Sequence, residues 1–434
     1  MWSLPLLWLF LGPPILRLGY RSAEASLQGS VDLTNLVRVA WWVACGAWAA
    51  FGIYRHRRWI PALVREATLL HLAMGLYVIT MYTSIMASPA RMYSLVSAVM
   101  MTILVVAAGD VALRRRAGVL RTVDLFRSLF LLALVLSLAI VAGLVVAPGV
   151  VSKAASDGLR LTGGGIGDPA LLGIVLVLLG LHLARGASGA LRVGYGLSTA
   201  LGLALLVLAR GRTDYAAFVA AMVLMLLQRL VTARPRAAVR ALGATSLLLA
   251  VLALTLVATA VSHRTAVLDR VAAYVVRDAG TLSTFSGRTA IAGVLVPAAA
   301  RAPFGLGFAA GPRQRIMESG PELIREGVVA QRIGNAHDAY VEVFSGLGIV
   351  GAVGFLGLLL AVGVRIGRLA DPDLVPLRAL LVALLVHSIT GSGAVLPFES
   401  ASALLWIVVA VTVGTGRGGR ADAARGRPVR ASGR

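Results

Sequence analysis

Arg127–Ala147 reads RSLFLLALVLSLAIVAGLVVA, one arginine followed by twenty residues without a charge. A hydrocarbon core roughly 30 Å thick is crossed by about 20 apolar residues rising 1.5 Å each, and inside it a helix satisfies its own backbone. The run therefore predicts a membrane-spanning helix, and eleven more flank it. They cover about residues 2–16, 36–54, 68–87, 92–113, 168–184, 192–209, 214–232, 241–262, 346–364, 376–396 and 400–415. The expected fold class is an all-α polytopic membrane protein, with about 12 transmembrane helices and one large extracytoplasmic loop.

Composition agrees. Hydrophobic residues make up 58% of the chain, charged ones only 14%, and the mean hydropathy is +0.86, which excludes a water-soluble globule. The net charge of +22 would suggest nucleic acid, but the arginines stand in short clusters between apolar runs, so they read as topology and no nucleic-acid partner is expected. Cys45 is the only cysteine, which excludes disulfides within the chain and thiolate metal sites. The first run is short, with Pro13 and Pro14 near its end, and Ala23-Glu24-Ala25 resembles a signal-peptide cleavage site. No basic region precedes that run, so a span is expected there.

Short cytoplasmic loops carry an excess of Lys and Arg. With the N-terminus inside, the cytoplasmic segments hold 24 such residues against 8 in the short outer loops. Both termini are therefore expected in the cytoplasm, and residues 263–345 outside. This divides the chain into helices one to nine (1–262), an extracytoplasmic loop (263–345), helices ten to twelve (346–415) and a basic cytoplasmic tail (416–434). The Gly/Arg-rich tail lacks an apolar period and suits a disordered segment near anionic headgroups. No internal repeat is visible, and no loop in the first half matches the long one, which argues against an inverted-repeat transporter.

The long loop is too apolar for a linker. Ile291-Ala-Gly-Val-Leu-Val-Pro297 and the series Leu323, Ile324, Val328, Ile333 suit amphipathic helices on the membrane face that roof a cavity. Pro303-Phe-Gly-Leu-Gly-Phe308 reads as a tight glycine turn. Arg212 and Arg288 stand at outward helix ends, where a planar, permanently charged fork can bind phosphate oxygens; the bland alternative is an arginine snorkelling to the interface. His337, in Asn335-Ala-His-Asp-Ala-Tyr-Val-Glu342, is the histidine best placed for outward proton transfer. Helical spacing would put Tyr340 and Val341 on its face, with Glu342 nearby.

His71, His182 and His387 fall within spans and read as core residues, His56 belongs to a cytoplasmic basic cluster, and His263 is a weaker alternative. Asp110 beside Arg114 reads as a local ion pair. Asp371 and Asp373 read as turn residues around Pro372. No acidic pair suited to a metal occurs in an outer loop, and no cofactor is expected.

Together, Gly211-Arg-Thr-Asp-Tyr-Ala216, Ser286-Gly-Arg288 with Pro303-Phe-Gly-Leu-Gly-Phe308, and His337-Asp-Ala-Tyr-Val-Glu342 leading into Gly346-Leu-Gly-Ile-Val-Gly351 resemble the O-antigen ligase and Wzy-type polymerase superfamily. Arg160-Leu-Thr-Gly-Gly-Gly165 with Asp168-Pro169 also looks like the family's segment before its sixth span, so the resemblance covers roughly residues 160–360. It implies a GT-C-like, inverting, metal-independent glycosyltransferase of the bacterial cytoplasmic membrane. The enzyme would take a glycan from a polyprenyl-diphosphate carrier on the outer face and pass it to an acceptor, as a ligase or as a polymerase.

By the same resemblance, Arg212 and Arg288 would hold the diphosphate and His337 would be the base. Two departures matter. The family usually has Ser before its first arginine where this chain has Gly211, so Arg210 is an alternative to Arg212. Its His-Asn pair is His337-Asp338 here, which leaves a carboxylate to orient the imidazole or marks a different acceptor. A reading from another class is a transporter or flippase for a lipid-linked glycan, which would also place arginines in a cavity.

Overall fold

The computed structural model describes residues 4–16, 33–155, 158–163, 166–232, 288–325, 336–369, 371–389, 391–397 and 399–416. Its helices are α1 (Pro5–Leu16), α2 (Leu33–His56), α3 (Ile60–Glu66), α4 (Thr68–Ser84), α5 (Arg91–Arg116), α6 (Thr122–Val146), α7 (Pro169–Leu183), α8 (Gly189–Ala209), α9 (Arg212–Thr232), α10 (Arg288–Ala300), α11 (Ala310–Glu318), α12 (Gly320–Arg325), α13 (Ala339–Arg368), α14 (Val375–His387) and α15 (Ser400–Gly414). Eight helical segments among the described residues are long and apolar enough to cross a membrane, so the chain is a nearly all-helical polytopic membrane protein. The expected span at 241–262 lies outside the described residues, as do Ala23-Glu24-Ala25, His263 and residues 417–434 of the basic tail.

Two expectations need correction. The run 376–396 is not one helix: α14 stops at His387 after 13 residues, about 20 Å of rise, and Ser388–Leu396 leaves the helix where Gly391 and Gly393 weaken it and Pro397 follows. The chain is also not purely helical, since β1 (Ser152–Ala155) and β2 (Gly158–Leu161) form an antiparallel hairpin pairing Lys153 with Arg160.

Burial follows position in the bundle. Every residue of α15 is buried, and α7 is buried over nearly its whole length. A helix apolar on all sides is stable only inside such a core. By contrast α2, α4 and α8 leave Phe51, Leu69, Leu72, Leu191 and Leu197 exposed, the apolar outer surface a lipid-facing helix presents. Asp110, fully buried in α5, is matched as expected by Arg114, whose Nε donates to both carboxylate oxygens at 2.8 and 2.9 Å. Asp371 Oδ1 accepts from the Asp373 N–H at 3.0 Å, the turn expected around Pro372.

Several long-range polar contacts join helix ends that the alternating loops put on one side. At the arginine-rich end Arg115 donates to Thr415 Oγ1 at 2.8 Å, Arg365 Nε to the Thr412 carbonyl at 3.0 Å, and Arg378 Nη1 to Gln228 Oε1 at 3.2 Å. At the opposite end Arg160 Nε donates to the Ala209 carbonyl at 3.0 Å, Tyr340 Oη to the Leu385 carbonyl at 3.1 Å, and Arg313 Nη1 to Tyr93 Oη at 3.0 Å.

The glycine turn at 303–308 is a docking element. Its Leu306 and Gly307 amides donate to the Ser345 and Gly346 carbonyls at 2.8 and 3.0 Å, where α13 is broken at Gly348 with φ of 66°. The carbonyls freed by the break are thereby satisfied, the condition for interrupting a helix at membrane depth. Phe308 then enters the bundle, donating its N–H to Ser84 Oγ and accepting from Ser94 Oγ. A Cβ on Gly348 would stand 2.1 Å from the Pro303 carbonyl oxygen, in a backbone region essentially open only to glycine that costs an L-residue on the order of 1–3 kcal/mol. Gly348→Ala is therefore expected to cut the yield of monodisperse detergent-solubilised protein severalfold and lower its Tm by several degrees. The neighbouring Gly363→Ala, with open space around its Cβ, should leave both unchanged.

Candidate active site at one end of the bundle

Three non-glycine residues among those described have positive φ: Arg210 (53°), Ala309 (59°) and His337 (51°). Two of them carry candidate chemistry. Such backbone costs of order 1–3 kcal/mol and persists only where surrounding structure imposes it.

Arg210 ends α8 as a left-handed C-cap and is 9% exposed. The preceding Ala209 carbonyl accepts the bond from Arg160 of β2. After Gly211 the chain turns directly into α9, whose first residue is Arg212, so the backbone of Arg210-Gly211-Arg212 forms one sharp corner. The side chain of Arg212 lies outside the described residues.

A helix begins here for a local reason. The Asp214 carboxylate occupies the place a side chain on residue 211 would take, with Oδ2 1.7 Å from where its Cβ would stand. An acid in the first turn favours a helix start electrostatically. The family's serine would serve as an N-cap; here Gly211 leaves room for Asp214 to fold back instead.

His337 is not helical, which corrects the expected spacing. Asp338 is the N-cap of α13, its Oδ1 accepting the N–H groups of Tyr340 at 2.8 Å and Val341 at 3.0 Å, so the helix cannot extend back to 337. Burial pushes the Asp338 carboxyl up; its two amide donors and the nearby Arg288 guanidinium oppose that rise. Arg288, the first described residue of α10, is thus near enough to Asp338 for its charge to act on that carboxyl. Glu342 is buried and accepts the Ala336 N–H at 2.8 Å, which ties the segment before His337 back to α13. Tyr340, tied through its hydroxyl to Leu385, anchors the start of α13 to α14. Tyr340 and Glu342 therefore hold the loop around His337 in shape.

Helix α10 rests on this assembly through a small separate core of Ile291, Leu295, Ile316, Leu323 and Ala336, with Val341 packed against it. The expected amphipathic residues Val328 and Ile333 lie outside the described residues.

The end of α14 joins the two halves. His387 Nδ1 lies 2.7 Å from Asp214 Oδ1, an N–H···carboxylate hydrogen bond, and its Nε2 lies 4.0 Å from Asp168 Oδ2. Asp168 itself caps α7, accepting the Ala170 and Leu171 amides. The Ala339 N–H donates to the Ser388 carbonyl at 2.9 Å. The starts of α7, α9 and α13 therefore meet around His387-Ser388, which puts the backbone of the arginine corner and of His337-Asp338 at the same end of the bundle.

Sequence reasoning missed His387 and Asp214. Two signals pointed to them: the glycines after 387 that end the helix there, and an acid three residues after a glycine at a helix start.

Residues 197–356, just over a third of the chain, match the O-antigen ligase family. No curated protein matches the chain. The family match bears out the resemblance drawn from the motifs. It supports a membrane enzyme of O-antigen ligase or polymerase type, acting on a lipid-linked glycan and an acceptor.

Proposed function

We propose that this protein, carrying an O-antigen ligase segment at 197–356, is a metal-independent inverting glycosyltransferase of the bacterial cytoplasmic membrane. It has both termini in the cytoplasm, takes a glycan from a polyprenyl-diphosphate carrier on the outer face, and acts foremost as a ligase. One observation carries the reading. The O-antigen ligase match at 197–356 spans the Arg210-Gly211-Arg212 corner, Arg288 and His337, and the helix starts at 212 and 339 are both held by the end of α14. A permanently charged, bidentate guanidinium is the group suited to a diphosphate. Arg288 adds a second guanidinium near His337-Asp338.

In the proposed reaction, His337 accepts the proton of an acceptor hydroxyl as its oxygen bonds to the anomeric carbon of the donor sugar. The bond from that carbon to the carrier's diphosphate oxygen breaks on the opposite face, inverting the configuration. The diphosphate leaves with the electron pair, and Arg288 with Arg212 or Arg210 stabilises the charge it gains. Preorganised guanidinium groups at a water-poor membrane face do this better than water, so the reaction as proposed needs no cation.

Purified protein incubated with a polyprenyl-diphosphate glycan, a candidate acceptor and excess EDTA is expected to transfer glycan at an undiminished rate. Collapse with EDTA and recovery with Mg²⁺ would defeat the arginine mechanism. Elongated carrier-linked product would identify a polymerase. Translocation of intact carrier without bond formation would identify a transporter.

A further inference from the structure

His387 contacts Asp214 in the first turn after the arginine corner through its side chain, and the carbonyl of the next residue contacts the first residue of the helix that follows His337. Its Nδ1 holds Asp214 Oδ1 at 2.7 Å, and Asp214 lies folded over Gly211 between Arg210 and Arg212. One residue on, the Ser388 carbonyl holds the Ala339 N–H at 2.9 Å, two positions after His337. The imidazole has room because residue 391 is glycine: a Cβ there would stand 2.9 Å from His387 Nε2. Asp168 faces the same nitrogen at 4.0 Å, too far for a direct hydrogen bond. The ring is 9% exposed, and its near nitrogen is committed to a carboxylate that is itself mostly buried.

We propose that His387 is a positioning residue for glycan transfer: its bond to Asp214 sets the distance between the diphosphate-binding arginines and the base His337. This rests on the function proposed above. Both helix starts are held by adjacent residues at the end of α14, so their separation follows the position of that helix end. Positioning of this kind acts on rate more than on folding, because misplacing reacting groups by about 1 Å can cost on the order of 10²-fold.

The test uses the full-length chain in detergent. His387→Ala and Asp214→Asn are each expected to lower kcat about 10- to 100-fold in protein with unchanged elution and Tm. The double variant should be no slower than the slower single one, because both break the same bond. His387→Asn, which restores a donor near the Nδ1 position, should recover kcat to within about threefold while the acid limb of the pH–rate profile stays in place. A His387→Ala enzyme at wild-type kcat would overturn the proposal, as would additive losses in the double variant. A His387→Asn enzyme as slow as His387→Ala and lacking the acid limb would make the imidazole itself the base. Hydrogen exchange separates this from the functional reading, since it needs no substrate. Amides of Thr213–Ala216 should exchange faster in His387→Ala and at the wild-type rate in His387→Asn. If the wild-type protein transfers no glycan, the functional reading fails; unchanged exchange in His387→Ala removes the strut.

Discussion

His337→Ala is expected to lower glycan transfer by about 10²–10⁴-fold, the usual cost of losing a general base, while insertion and carrier binding persist. The expectation of intact folding follows from the local structure. His337 precedes α13, and the helix start is held by Asp338, Tyr340 and Glu342 through bonds that do not involve the imidazole. Alanine at a φ of 51° carries a modest strain, so His337→Asn, which tolerates that backbone better, is the control. If His337→Ala transferred at the wild-type rate, the histidine would be structural. Asp338 and Glu342 would then be examined as bases, although both are engaged, one as a helix cap and the other with the Ala336 amide.

The eight crossing helices among the described residues were legible because lipid imposes one requirement on every residue of a crossing helix, and hydropathy records it directly. The same measure fails at 376–396. Residues 388–396 are small and apolar enough to extend the run, yet the chain leaves the helix at His387. That misplaced His387 to the bilayer interior, when it stands at the end of α14 against Asp214 and near Asp168. The partnership joins residues 173 apart, and only tertiary structure reveals it. His337 failed differently. Helical spacing was extended one turn too far back, although Asp338 is a preferred cap and marks where the helix starts. The hairpin at 152–161 carried no Asn-Gly or Asp-Gly loop signal, since its register pairs Ala155 with Gly158, and the helical runs around it dominated the reading. The arginine corner and His337 were legible as motifs, while their approach to one another depends on α14, which no motif contains.

Arg288→Lys is expected to lower transfer about 10- to 100-fold, nearly as far as Arg288→Ala. A charge-assisted hydrogen bond contributes about 1.5–3 kcal/mol, and lysine keeps the charge but loses the second arm of the bidentate contact. The lysine variant isolates that geometry because Arg288 also acts on Asp338, opposing the upward push of burial on its carboxyl. Removing the cation in Arg288→Ala would let the Asp338 pKa climb further, so the cap of α13 would lose its charge at a higher pH as the solution is acidified. Protonation of a carboxyl whose folded-state pKa is raised favours the folded state, so the alanine variant's Tm deficit should be largest at neutral pH and shrink at mildly acidic pH, whereas the lysine variant should show a loss independent of pH. Transfer rates and Tm measured for both from about pH 5 to 8 distinguish the two effects. A lysine variant at the wild-type rate would reduce Arg288 to a charge near Asp338 and leave the diphosphate to the arginines of the 210–212 corner.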